Sequence, residues 1–509
     1  VGSVPIGKLV QDHTSIAAAF APYDRVRLAA TFGALLAEPA LLANSHRLET
    51  LAHLALLVAN GTKKPDDAVV IQAFNAMTDT WVGQLEDPSE DVAVRNIQTP
   101  IGNFRVLGGT WESSGFYLQH LVNTLNALGD GGLLKSLRAS VYALLRLSDE
   151  VCRRAGLTRN TLGPETPLKA FPAELRRGAG GRRRGVRFSL QDIADLGIEL
   201  DDLAPFGFWP SGLAKLRGER IGHSSLERSP IIGRPTEVFF VLPSAVGPAI
   251  TRFLIEAFAE SGVTSAFAAA VADQYATLFG NIPVLGGPRV PVEFRKAVGG
   301  LAAAAMTEID HGLYLNFVFV ADDLEGFKEA GVLGPFPQTG EWHKLIDHWI
   351  QQSWDAAREL PDFVGGMTLI VACGVGRGFP HLGLDTLREG WRVETISAPD
   401  LITLSWLPDF KPLSLWRMLD AEGRLGELKT ELMNINGLLN LAAWMRELEG
   451  HLAPHDQLPD DAGDTQLLIM VPQNGLRELR HEVLTRWDPH VAQTLSGHWE
   501  AVMRDETSM

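Results

Sequence analysis

The sequence predicts an α/β carboxy-terminal domain, a mixed or mostly parallel sheet with helices on both faces, preceded by a mainly helical domain carrying one β-hairpin. Three observations predict it. Apolar residues recur at three- and four-residue spacing through the first part of the chain, as in Val26, Leu28, Phe32, Leu35 and Leu36. A single alternating stretch, "DVAVRNIQTPIGNFRVLGG" (91–109), folds back around "TPIGN". From about residue 235 the pattern becomes strand, short loop, helix, repeated, which implies a sheet covered on both faces.

In order, residues 15–60 are expected to form two helices, and 91–109 a hairpin. Two long helices follow in "WESSGFYLQHLVNTLNALGDGG" and "LLKSLRASVYALLRLSDEVCRRAGL". This gives a first domain over 1–155, an irregular Arg-, Gly- and Pro-rich connection over 156–232, and an α/β domain over 233–509. Within the last, "TEVFFVLPS", "HGLYLNFVFVADD" and "GMTLIVACGVGRG" read as strands leading into helices, followed by "WRVETISAPDL" and "DTQLLIMVPQ".

Bulk chemistry narrows the function classes. With 509 residues, several domains are expected. A hydrophobic share of 46% with 21% charged residues fits a folded chain and excludes a disordered one. A net charge of −16 opposes wholesale wrapping by nucleic acid or adhesion to anionic lipid. Two cysteines, Cys152 and Cys373, exclude a disulfide framework and a zinc ribbon, and point to a reducing, cytoplasmic setting. No apolar run reaches the ~18 residues of a membrane span, so no membrane partner is expected. The chain opens "VGSVPIGK" without Met, so a trimmed start or a larger parent chain is expected.

The leading candidate site is "TLIVACGVGRGF" (368–379). Gly374, Gly376 and Gly378 follow an apolar strand and precede Pro380, which suits the first turn of a helix. Bare glycine amides beside a helix start make a place for phosphate. Arg377 adds a cation, and Glu394 or Asp400 stands at the distance of an acid that binds sugar hydroxyls. The GxGxG spacing resembles the first motif of the Rossmann-like methyltransferases, departing from it at Ile370, where an acid would stand. That resemblance implies S-adenosylmethionine; the residues alone imply a nucleotide or another small anion. The competing reading is a buried strand ended by a glycine turn.

A second candidate is "LRRGAGGRRRGVR", with Arg176, Arg177, Arg182, Arg183, Arg184 and Arg187. Arginine forks bind phosphate bidentately, and the glycines would let the loop follow a nucleic-acid backbone. The acids just downstream, Asp192, Asp195, Glu199, Asp201 and Asp202, are expected to neutralise part of this charge.

Weaker candidates complete the set. Asp409, Glu427 and Lys429 spell the order of a metal-dependent nuclease centre. Asp322 and Asp323 end a strand where a metal or catalytic carboxylate would sit, although Asp322 with Glu325 also suits a helix cap. His343 and Asp347 stand one helical turn apart as a surface pair. Ser244 stands between strand and helix, as a nucleophile or an N-cap would. The expected function is binding, with or without turnover, of an anionic or nucleotide-like small molecule at 374–378. The alternatives are nucleic-acid processing or sensing through the arginines, with a divalent metal, and a non-catalytic interaction subunit with a protein partner.

Overall fold

A computed structural model describes residues 5–77, 93–109, 115–128, 131–159, 161, 167–209, 212–222, 224–261, 289–290, 301–303, 306–310, 312–320, 341–360, 362–372 and 390–397. The chain divides after Ala257 into two compact units.

The first unit is mainly helical. It opens with α1 (Ile6–Asp12), α2 (Thr14–Phe20), α3 (Arg25–Leu36), α4 (Ser45–Val58) and α5 (Asp67–Ala76). Asp24 starts α3 by accepting from the Arg27 amide, and Asp66 starts α5 by accepting from Val69. A 3-10 turn, Pro39–Asn44, joins α3 to α4, with Pro39 where the missing N–H costs nothing. The expected hairpin is present as β1 (Val94–Thr99) and β2 (Gly102–Leu107), paired antiparallel. It is followed by α6 (Gly115–Ala127) and α7 (Gly132–Arg154).

On α7, Leu137, Val141, Leu144, Ser148 and Val151 are buried at alternating four- and three-residue steps, so one stripe faces the core. Arg153 and Arg154 close its last turn, where cations suit the helix dipole. Arg105 ties the hairpin to this helix through Asp149 at 2.7 Å. The core holds Phe20 against Phe32 at 5.5 Å between ring centroids and Phe74 edge-on to Phe171 at 5.3 Å.

The boundaries differ from those expected at 155 and 232. The stretch read as an irregular connection is built into the first unit. It holds 3-10 helices at Ala173–Leu175 and Ala179–Val186, strand β3 (Arg187–Ser189) and the short helices α8 (Leu190–Asp195), α9 (Leu200–Leu203), α10 (Gly212–Leu216) and α11 (Ser225–Arg228). Strands β4 (Ile231–Arg234) and β5 (Glu237–Phe240) pair antiparallel, and β3 joins the other edge of β5. So "TEVFFVLPS" and the helix after it, α12 (Val246–Glu260), do not open the α/β sheet; β5 is the central strand of a small sheet, between β3 and β4, which both precede it in sequence. Strand–loop–helix grammar is local, and pairing partners are not.

In the second unit, β9 (Leu313–Val320), β10 (Gly365–Ala372) and β11 (Trp391–Ser397) run parallel, with β10 central. On its other edge β9 pairs antiparallel with β7 (Leu301–Ala303) and β8 (Met306–Asp310), and β8 with β6 (Arg289–Val290). The sheet is therefore mixed. The helix α13 (Glu341–Arg358) packs against β9 and β10, where the Asn316 amide donates to Ser353 at 2.7 Å. Gly366 is needed beside Trp391: a Cβ there would lie 1.9 Å from the indole ring, whose N–H donates to Thr368. No single helix among the described residues is long and apolar enough to cross a membrane.

Candidate functional site: an arginine-lined cleft

The Arg/Gly segment is not a loose loop. Gly178 turns the chain with φ +82, a conformation that costs most residues 1–2 kcal/mol but glycine little. The amides of Gly178 and Gly180 then donate to the two carboxylate oxygens of Asp67, at 2.9 and 2.8 Å. Gly180 lies so close to α5 that a Cβ would sit 2.6 Å from the Asp66 carbonyl carbon. From there the 3-10 helix Ala179–Val186 runs alongside α3.

Arg154, at the end of α7, holds the segment from behind. Its guanidinium lies 4.2 Å over the Phe188 ring and donates to the Arg187 carbonyl at 2.7 Å and to Glu150 at 2.8 Å. Asp192 approaches the same guanidinium at 3.3 Å. Arg182 pairs with Glu38, Arg183 donates to the Gly180 carbonyl at 2.7 Å, and Arg187 pairs with Glu237. Arg176, Arg177 and Arg184 are exposed.

Between these groups lies an open cavity of about 520 Å³, the size of a small-molecule site. Ala34, Ala37 and Glu38 from the end of α3 form one wall; Val151, Arg154 and Ala155 form another; Arg182, Arg184 and Gly178, Gly181 and Gly185 form the third. Alanines and glycines leave the space, and guanidinium groups give it charge. Burial, and then the nearby Arg27, Arg187 and Arg184, hold the Arg183 pKa below the usual guanidinium value.

The expected neutralisation is met in part: hydrogen bonds from Ser189, with the fields of Arg154 and of the cluster's Arg187, hold the Asp192 carboxyl below its usual range. Of the five downstream acids, Asp192 does turn to a guanidinium, but to Arg154 of α7, and its other oxygen closes a capping box with Ser189. Among the described residues, the acids that form direct ion pairs with the cluster, Glu38 and Glu237, lie 144 and 50 residues from their partners. Sequence proximity could not identify them.

A second polar constellation lies along α4, and sequence reading missed most of it. The Ser244 hydroxyl donates to the Glu49 carboxylate at 2.7 Å. His53 places Nδ1 2.7 Å from the Glu49 carbonyl and Nε2 2.8 Å from the Ser224 hydroxyl. The carbonyl can only accept, so Nδ1 carries a proton, and in the neutral ring Nε2 then accepts from Ser224. Ser224 also caps α11 in a reciprocal box with Glu227. His53 and Ser224 are both 0% exposed. A serine–histidine pair sealed from solvent cannot meet a substrate; it fastens α4 to α11. Burial also pushes the His46 imidazole down to about 3.

No group of three or more His, Cys, Asp or Glu residues that could hold a metal occurs among the described residues. Of the other candidates, Gly374, Gly376, Arg377, Gly378, Asp400, Asp322, Asp323, Asp409, Glu427 and Lys429 lie outside the described residues. Glu394 lies within β11, its backbone paired with that of Leu369. The strands on either side of the glycine stretch, β10 and β11, are parallel neighbours.

The model of the family described as anti-phage protein Upx-like matches residues 2–508. The chain belongs to this family. No curated protein and no solved structure matches it. In this Upx-like protein the cleft is open and lined by Arg154, Arg182, Arg184 and Glu38.

Proposed function

We propose that this Upx-like protein serves phage defence by recognising a nucleotide-like, phosphate-bearing small molecule in the arginine-lined cleft. The observation that carries the reading is the convergence of Arg154, Arg182 and Arg184 with three glycines on one cavity of about 520 Å³. Arg184 would meet phosphate directly, Arg182 would add a second fork, and Arg154 would hold the wall in place. Glycines Gly181 and Gly185 face open space, so their backbone is approachable. A small ligand is favoured over a polynucleotide because the chain's net charge of −16 repels a long polyanion more than a short one.

The glycine stretch at 374–378 is a second placement for the same ligand class, favoured by one observation: β10 and β11, on either side of it in sequence, are parallel neighbours as a phosphate-binding βαβ unit requires. Thermal shift and calorimetric titration with ATP, ADP and S-adenosylmethionine separate the two. Under the cleft reading Arg184→Ala abolishes the shift and Gly376→Asp leaves it; the reverse pattern moves the site to the glycine stretch. Stabilisation by none of the three removes both.

A further inference from the structure

The inference concerns how the cleft is regulated, and it rests on the reading above. Glu38 is the one acid on the cavity wall among the described residues, and its carboxylate meets Arg182 from a turn that precedes the 3-10 segment Pro39–Asn44. The pair faces the cavity: the side chains are 30% and 19% exposed. Its neighbours are held differently. Arg154 is fixed by Glu150, Asp192 and the Arg187 carbonyl, Arg183 by the Gly180 carbonyl, and Arg187 by Glu237 across the small sheet. Glu38 touches Arg182 through Nη1, and among the described residues nothing accepts from the buried Nε of the same guanidinium. One edge of the fork is thus left over.

We propose that Glu38 is a resident carboxylate that guards Arg182 and is displaced by the phosphate of the incoming small molecule. A phosphate offers three oxygens where the carboxylate offers two, so it can bridge Arg182 and Arg184. The guard serves two ends. It offsets the repulsion between crowded guanidinium groups, and it sets a threshold that weak anions do not cross. A ligand that engages both arginines gains more than it loses in separating the pair.

The test is a double-mutant cycle on the full chain, titrating ADP in metal-free buffer at constant ionic strength. Glu38→Gln tightens ADP about fivefold, the factor expected when a partly exposed ion pair no longer competes. Arg182→Ala weakens ADP about tenfold. In the Arg182→Ala background, Glu38→Gln brings no gain. Equal tightening in both backgrounds would show that Glu38 acts only through its field and would overturn the guard, as would an unchanged affinity in Glu38→Gln. Glu38→Ala, checked for its melting temperature, repeats the cycle with a variant that cannot hydrogen-bond. If ADP binds the wild type and the cycle fails, the guard alone is wrong. If neither wild type nor Glu38→Gln binds ADP, the ligand reading falls with it; binding of a 20-nucleotide DNA strand without ADP would replace the small molecule by a polynucleotide.

Discussion

The cleft and the polar row along α4 use overlapping chemistry to opposite ends. Along α4, serine, histidine and glutamate meet at 2.7–2.8 Å behind complete burial, and every described bond there goes to another part of the same unit. In the cleft, guanidinium groups line open space: Arg154 and Arg182 are partly exposed and paired with acids, and Arg184 is exposed. The difference teaches that a catalytic-looking set of residue types is read by its access to solvent, not by its members. Ser224 with His53 has the donor–acceptor order of an activated hydroxyl and no route for a substrate.

That contrast breaks if residues of the row govern binding or residues of the cleft govern stability. The largest effect is expected from Glu49→Ala, which strips the Ser244 hydroxyl of its acceptor inside the core. It should cost about 2–4 kcal/mol of stability in denaturant unfolding followed by a probe in the first unit. ADP affinity in the surviving folded fraction should stay unchanged. Next, Gly180→Ala forces a methyl group against the Asp66 backbone and should cost about 1–3 kcal/mol. Because it moves the wall that carries Arg182, it should weaken ADP as well, which marks Gly180 as the point where framework and cleft meet.

The pH dependence of stability comes third. Burial lowers the His46 pKa to about 3, and burial also lowers that of His13 against the raising effect of Asp12. The unfolded chain therefore takes up protons near pH 6.5 that the folded chain refuses, so stability is full above 6.5 and falls as pH drops toward 3. From pH 6.5 to 5 the His46 contribution alone is about 2 kcal/mol, and His46→Gln should flatten that slope. The carboxylates held low by their partners, Asp24 and Glu150 among them, lose their contribution only further down, as pH falls below about 4. Arg184→Ala should change stability least, by no more than about 0.5 kcal/mol, while weakening ADP about tenfold. A large loss of stability there would place Arg184 in the framework and remove it from the site.

Legibility in the sequence followed the range of the interactions. The stripe Leu137–Val141–Leu144–Ser148–Val151 and the fold-back at "TPIGN" are written in neighbouring residues, and both elements stand where the pattern put them. The Arg/Gly segment was recognisable as a charged feature from composition alone. Its shape was not, since that depends on Asp67 reaching Gly178 and Gly180 from more than a hundred residues away. The row along α4 was nearly invisible for the same reason: Glu49 and Ser244 are 195 positions apart, and His53 and Ser224 are 171 apart.

By itself, then, the sequence determined the helical character of the first unit, its hairpin, the strands β9 to β11 and the place of its densest positive charge, because periodicity and composition act over a few residues. The tertiary structure decided where the first unit ends, which acids face the arginines and which polar groups are sealed. Those depend on long-range packing, where burial sets the worth of each charge and hydrogen bond, and no local pattern carries that information.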